Sequence, residues 1–181
     1  GNSMPVRDMD TFFPSSEFPV RFMANRGASG IDGVTSTALG VSAVSQDRLV
    51  LVIGDISFYH DMNGLVAARN FGLNATIIVV NNNGGGIFSF MPQVDYEDVF
   101  EPYFATPHGL TFKAAAELYE LDYCLADNWE KFREAVEISL VGNKTTVIEV
   151  PGDRKLNVML HQQIRNAVVS QIHQNDGARD D

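Results

Sequence analysis

The two residues of this 181-residue chain best placed to do chemistry together are Asp55 and Asn82. Each follows a short apolar run: residues 49–53 lead into Gly54 and Asp55, and residues 76–80 lead into Asn81, Asn82 and Asn83. A carboxylate, an amide carbonyl and a nearby main-chain carbonyl make a hard-oxygen set suited to Mg²⁺. That ion keeps several waters and leans on substrate phosphates for its remaining ligands. Gly84, Gly85 and Gly86 would let the backbone come close to such a phosphate. On residue types alone a plainer reading stands beside it, because Asp and Asn are both common turn formers.

Other chemistries find less support. The G-x-G-x-x-G of a dinucleotide fold is absent, with Gly54 standing alone at the first strand-to-helix turn, and no G-x-x-x-x-G-K-[ST] phosphate loop occurs. No G-x-S-x-G elbow supports a serine hydrolase. His60, His108, His161 and His173 are scattered, and surface or capping roles are expected for each. The single cysteine, Cys124, excludes an internal disulfide and a multi-cysteine metal site, and reads as a buried structural thiol. The net charge is −10 and the 13 Lys and Arg form no cluster, which sets nucleic acid aside. A chain this acidic must bind any anion with local groups: a few arginines, backbone N–H groups or a metal ion.

The elements that must position Asp55 and Asn82 follow from periodicity. Both apolar runs are too short for helices and read as strands, with a helical segment between them. They should be parallel neighbours in a right-handed crossover, which brings their polar ends to one sheet edge, where open α/β sheets bind ligands. Val6, Met9 and Phe13 have helical spacing after Pro5. Residues 20–24 read as a strand, followed by a loop in which Gly27, Gly30 and Gly33 permit close approach to a ligand. Residues 34–44 read as a buried helix, and residues 91–109 as a long loop. Phe112, Ala115, Ala116 and Tyr119 predict a helix. Asp127 with Glu130 predicts a capping box before a helix carrying Trp129, Phe132, Val136 and Leu140. A β-rich run over 145–150 stopped by Pro151 and a last helix lined by Leu156, Leu160, Ile164 and Val168 complete the pattern. Such alternation argues a doubly wound α/β domain, with a mainly parallel sheet and helices on both faces. The length fits one domain with a sizeable core. Without an apolar run near the roughly 20 residues that span a bilayer, and with no signal-peptide pattern at its start, the chain is expected to be cytoplasmic.

Four ordered motifs carry a resemblance: GNSMPVR from Gly1, NRGASGIDG from Asn25, GDISFYHDMNGL from Gly54 and VVNNNGGGIFSF from Val79. Gly54-Asp55 followed at this spacing by Asn81-Asn82 resembles the cofactor motif of the thiamine-diphosphate-dependent decarboxylase and transketolase superfamily. Ile56 stands where most relatives have a second glycine. With the other three motifs this departure resembles the menaquinone-biosynthesis branch, whose synthases decarboxylate 2-oxoglutarate and add the succinyl unit to isochorismate.

The resemblance implies a thiamine-diphosphate-binding fold over residues 1–173, followed by a flexible polar tail over 174–181. It implies Mg²⁺ or Mn²⁺ held by Asp55, Asn82 and the carbonyl of Gly84. Thiamine diphosphate would lie against Ser29, Gly30 and Ile31, against Gly54, Asp55, Ile56 and Ser57, and against Asn82, Gly84, Gly85 and Ile87. Ile31 matches the apolar residue that props thiamine into its bent form, although by type it could be core, as could Phe88. Ser57 could be a helix N-cap, a diphosphate donor or both. Substrate contacts fall on Asn2, Ser3, Arg7, Arg26, Ile87, Phe88 and Met91, where arginine suits bidentate carboxylate binding. The glutamate that activates thiamine is expected on the pyrimidine-binding domain of a second subunit, so no catalytic residue is assigned here, and Glu17, Glu97 and Glu101 are not promoted to that role. The chain, which opens abruptly inside a motif, then reads as the carboxyl-terminal piece of a longer enzyme. Upstream pyrimidine-binding and central domains, and a homodimer or dimer of dimers, are implied, with the fragment inactive by itself. Two alternatives remain: another carboligase or decarboxylase of the superfamily, acetolactate-synthase-like, or a non-catalytic doubly wound binding module.

Overall fold

A computed structural model describes residues 1–14, 19–28 and 30–177, with side chains to Gln174. After α1 (Met4–Phe12), the sheet is built from β1 (Leu49–Gly54), β2 (Ala75–Asn81), β3 (Asp122–Leu125) and β4 (Thr146–Pro151), in the order β1-β2-β4-β3. All three pairings are parallel. Gly54 pairs with Val80 and Asn81 with Pro151, so the acidic turn and the asparagine run share one carboxyl edge.

Parallel strands covered on both faces favour apolar residues on both, and β1, β2 and β4 are mostly apolar, with Thr76 and Glu149 as buried polar exceptions. Leu51, Ile53, Ile77, Val79 and Val147 point to one face, where they meet α2 (Val34–Val44), α4 (Leu65–Phe71) and α6 (Lys113–Leu118). Ile78 and Ile148, one residue out of phase, point to the other and meet Phe132, Ala135 and Val136 of α7 (Trp129–Val141). Helices thus cover both faces, as the sequence predicts. Burying each such aliphatic side chain stabilises by roughly 1.5–3 kcal/mol. On the α7 face the Thr76 and Ser139 hydroxyls lie 2.6 Å apart, and just before β4 the Thr145 hydroxyl donates to Leu73 O.

Several expectations need correction. Residues 20–24 form no strand; Val20, Phe22 and Met23 are exposed and have no sheet partner among the described residues. Alternation without a buried face does not hold a strand. The segment between β1 and β2 is two helices, α3 (Asp55–His60) and α4, separated by a 3₁₀ turn at Met62–Gly64. The buried Asp61 fastens that break to α2 by accepting the Ser36 N–H and hydroxyl. Residues 91–109 are mostly helical turns: Pro92–Asp95, α5 (Glu97–Phe100) and a π-type turn at Glu101–Ala105. Aromatic packing of Phe88, Phe100 and Phe104 supplies the order that periodicity does not show.

The cap of α7 is Asn128, whose Oδ1 accepts the Lys131 N–H, so Asp127 and Glu130 make no capping box. The Lys131 side chain bonds Asp127 instead and holds its carboxyl below the ordinary range. Trp129 is 74% exposed and lies outside the core. Cys124 is half-buried rather than buried, and burial pushes its thiol up, away from nucleophilic use. Pro151 closes β4 from within. Helix α8 (Arg154–Gly177) extends beyond residue 173 into the expected polar tail, and residues 178–181 lie outside the described set.

β3 and the buried Glu149 are features the sequence reading omits. Glu149 accepts Asn81 Nδ2–H at 2.7 Å, the Phe112 N–H at 2.8 Å and the Tyr123 hydroxyl at 2.8 Å. Burial first, then the Glu149 hydrogen bond, pushes the Tyr123 phenol well above the ordinary tyrosine value. The folded state therefore keeps this proton after the unfolded chain has lost it. The stability this contributes is fully present below pH about 10 and falls as the pH climbs further. Thermal melts followed by circular dichroism are expected to show a steeper loss between pH about 9 and about 11 in the parent than in Tyr123→Phe, which lacks that proton. Equal slopes would refute the assignment.

Candidate functional site

Asp55 is the first residue of α3, immediately after β1, and is 2% exposed. Its Oδ1 accepts the Ile56 N–H at 2.7 Å, and its Oδ2 accepts the Gly84 N–H at 2.9 Å. The two strand ends are thus joined through one carboxylate. Gly84 has φ 138°, and a Cβ there would lie 2.2 Å from Ala105 O. Added Cβ atoms at Gly85 and Gly86 would meet Phe104 O and Phe88 at 2.7 Å, and Asn82 Nδ2 at 2.5 Å. Glycine is needed here because the π-type turn presses on the loop from outside.

Two of the unpaired buried oxygens belong to predicted site residues. Asn82 Oδ1 and Ser57 Oγ have no hydrogen-bond partner, although buried polar atoms are usually paired. Both lie near the carboxyl edge, where Pro5, Asp8, Met9, Val52, Gly54, Val80 and Asn82 line a small cleft of about 90 Å³. Among the described residues no three His, Cys, Asp or Glu side chains cluster as a metal site. A divalent ion here would have one carboxylate, an amide oxygen and a main-chain carbonyl, and would need phosphate to complete its shell. The residues present fit such an ion. Gly84 O already accepts the Gly86 N–H at 2.9 Å but keeps a second lone pair.

The structure separates the other predicted residues. Asn2 is 3% exposed and acts as a pin, donating to Gly30 O and accepting Arg26 at 3.0 Å. It orients Arg26 rather than offering itself to solvent. Ser3 has φ 69°, and its carbonyl accepts Arg7 at 2.7 Å. Arg7, Ile87 and Met91 line a second cavity of about 290 Å³ with His161 and Arg165 of α8. Phe88 lies apart from that lining, its ring edge-on to Phe104 at 5.7 Å. In the same cavity burial raises the Asp8 carboxyl and the His161 charge opposes the rise. Ile31 and Ile56 are half-buried, while Ser29 lies outside the described residues, as does Glu17. Glu97 and Glu101 are exposed, on turns beyond the glycine loop.

His108 corrects an expectation. The sequence suggests a surface or capping histidine, yet its side chain is 12% exposed and its Nε2 lies 3.2 Å from Asp55 Oδ2. The Pro107-His108-Gly109 run is a turn signal, and nothing in its spacing points back to Asp55.

With this geometry in view, comparison with known proteins decides the family. Residues 5–150 match the family model described as "Thiamine pyrophosphate enzyme, C-terminal TPP binding domain". The chain belongs to this family. As a thiamine pyrophosphate-binding domain it is 52% identical over 172 residues to a 2-succinyl-5-enolpyruvyl-6-hydroxy-3-cyclohexene-1-carboxylate synthase of Geobacillus kaustophilus (strain HTA426), covering 95% of this chain and 30% of the relative. The synthase of the same name from Bacillus cytotoxicus is 50% identical over 163 residues, covering 90% of this chain and 28% of the relative. The chain thus spans about three tenths of the length of the curated relatives it matches. Among solved structures, the thiamine diphosphate-dependent 4-hydroxybenzoylformate decarboxylase of Rhodococcus jostii RHA1 superposes with a TM-score of 0.57. It is 26% identical, and the match covers 64% of this chain and 22% of that one. No helix among the described residues is long and apolar enough to cross a membrane.

The unpaired Ser57 hydroxyl gives a clean expectation for this domain. Removing a buried hydroxyl that has no partner leaves nothing unsatisfied, so Ser57→Ala should melt within about 0.5 kcal/mol of the parent. If the Ser57 hydroxyl donates to the diphosphate, loss of that charge-assisted bond, about 1.5–3 kcal/mol, should weaken thiamine diphosphate at least tenfold in a calorimetric titration of the full-length protein. Unchanged affinity would remove Ser57 from the site.

Proposed function

We propose that this chain is the carboxyl-terminal thiamine-diphosphate- and metal-binding domain of a synthase of menaquinone biosynthesis that joins 2-oxoglutarate to isochorismate. The observation that carries the cofactor half is the pair of strand ends closed by Asp55, with the unpaired Asn82 Oδ1 beside it. On this reading Asp55, Asn82 and the Gly84 carbonyl hold Mg²⁺ or Mn²⁺, and Ser57 and the Gly84-Gly85 backbone face the diphosphate. Bound thiamine diphosphate would supply the carbanion chemistry that decarboxylates 2-oxoglutarate and passes the succinyl unit on. The protein's own part is to bind and orient. Arg26, steered by Asn2, and Arg7, at the mouth of the cavity lined by Ile87 and Met91, would neutralise substrate carboxylates. Guanidinium groups can bind such anions in a bidentate way, which suits an otherwise acidic chain.

Support for the specific synthase comes from the 45–52% identity to enzymes of that name over at least 90% of this chain. Since those relatives are about three times longer, we further propose upstream pyrimidine-binding and central domains and a homodimer or dimer of dimers. An activating glutamate from the partner subunit and a cytoplasmic location belong to the same reading. The test is substrate consumption by full-length protein supplied with thiamine diphosphate and Mg²⁺. 2-Oxoglutarate and isochorismate should disappear together in equal amounts with release of CO₂. Turnover of pyruvate in their place would favour an acetolactate-type carboligase and overturn the assignment.

A further inference from the structure

His108 is delivered to Asp55 by a strap that hydrogen bonds tie to the asparagine edge and to Glu149. Asn83, at φ 59°, turns its side chain back so that Oδ1 accepts the His108 N–H at 3.0 Å and the Gly109 N–H at 2.7 Å. Asn81 Nδ2 donates to Leu110 O at 2.9 Å and to Glu149 at 2.7 Å. Glu149 then takes the Phe112 N–H, closing the strap at its far end. Within it the Leu110 N–H donates to His108 Nδ1 at 2.9 Å. Nε2 is thereby turned to the other side, 3.2 Å from Asp55 Oδ2. The buried Nε2 makes no hydrogen bond. Oδ2 thus accepts the Gly84 N–H on one side and packs against the His108 ring on the other, while Oδ1 accepts a single N–H.

We propose that His108 is a positioning residue for Asp55: it engages Oδ2, leaves Oδ1 to serve a divalent ion, and so sets metal affinity without taking part in the reaction. This rests on the proposed metal-binding reading of the site. Partners of metal ligands that fix ligand orientation typically change affinity 10–100-fold when removed. The second and third asparagines of the edge thereby gain different roles, Asn82 toward the ion and Asn83 toward the strap.

The experiment titrates Mn²⁺ into full-length protein saturated with thiamine diphosphate, reading free Mn²⁺ by electron paramagnetic resonance. His108→Leu should raise the Mn²⁺ dissociation constant by roughly 10–100-fold. His108→Gln, which keeps a polar side chain beside Oδ2, should recover part of the loss. In steady-state assays the His108→Leu defect should fall on the metal concentration needed, not on kcat at saturating metal. Should His108→Leu fail to fold, Asn83→Ala, which removes the side-chain acceptor of the His108 and Gly109 N–H groups and so frees the strap, is expected to weaken Mn²⁺ in the same direction. Parent-like Mn²⁺ affinity in His108→Leu, or in Asn83→Ala if that variant has to decide, overturns the inference alone. So does a kcat loss that persists at saturating Mn²⁺. A parent protein that binds no Mn²⁺ in the presence of thiamine diphosphate overturns the proposed function and this inference with it.

Discussion

Asp55→Ala in the full-length protein is expected to lose metal-dependent turnover almost completely, by at least about 1000-fold at a metal concentration that saturates the parent. Three losses coincide at one residue. On the proposed reading the ion loses its charged ligand; in addition the Gly84 N–H loses its acceptor, and the Ile56 N–H loses the other oxygen. Each hydrogen bond to a carboxylate contributes about 1.5–3 kcal/mol, so the loop that carries Asn82 and Gly84 is released at the same moment as the charge is removed. Two such bonds together correspond to a factor of about 100 to 10⁴ in an equilibrium. Asp55→Asn keeps the shape and one carbonyl oxygen and should fall between the two. Steady-state rates measured across a wide Mg²⁺ range check this, and parent-like rates in Asp55→Ala would reassign the ligand.

Gly84→Ala is the second large effect, and it acts through sterics. The φ of 138° is one that L side chains rarely adopt, and the added carbon would sit 2.2 Å from the Ala105 carbonyl oxygen and 3.1 Å from its carbon. Backbone strain of about 1–3 kcal/mol and overpacking of about 1–3 kcal/mol add here, because the obstacle is main chain and has little room to move. Melting should therefore drop by roughly 10 °C, with cofactor affinity falling in parallel. Gly72→Ala is the matched control: φ is 58° but nothing lies within 4 Å of the added carbon. It should cost only about 1 kcal/mol and leave cofactor binding untouched. Equal effects at the two glycines would show that the pressing of the π-type turn on the loop is irrelevant.

The strand ends were legible because parallel β1 and β2 announce themselves as continuous apolar runs stopped by polar residues. Periodicity then placed Asp55 and Asn82 on one edge before any contact was visible. What sequence could not show was the closure of that edge. Residues 91–109 lack a period because their order comes from aromatic rings meeting across turns, not from one face packing on a core. His108 reaches Asp55 through side-chain-to-backbone bonds of Asn81, Asn83 and Glu149, and such long-range bonds leave no local pattern. Glu149 was the one readable hint, a carboxylate inside the run Thr-Val-Ile-Glu-Val, where a buried strand demands partners. Residues 20–24 failed in the opposite way, since β-forming types were present but Val20, Phe22 and Met23 stay exposed among the described residues. The capping of α7 slipped by one residue because Asp127 and Asn128 are both competent caps, and Lys131 draws the aspartate away.

On the proposed reading, Asp55, Asn82 and Gly84 form a metal-dependent seat for a diphosphate. Titration calorimetry of thiamine diphosphate into full-length protein, with Mg²⁺ and after its removal by chelation, tests it. Saturable one-site binding that requires Mg²⁺ and is lost in Asp55→Ala is the result expected. Binding of equal strength without Mg²⁺, or none with it, would contradict the account.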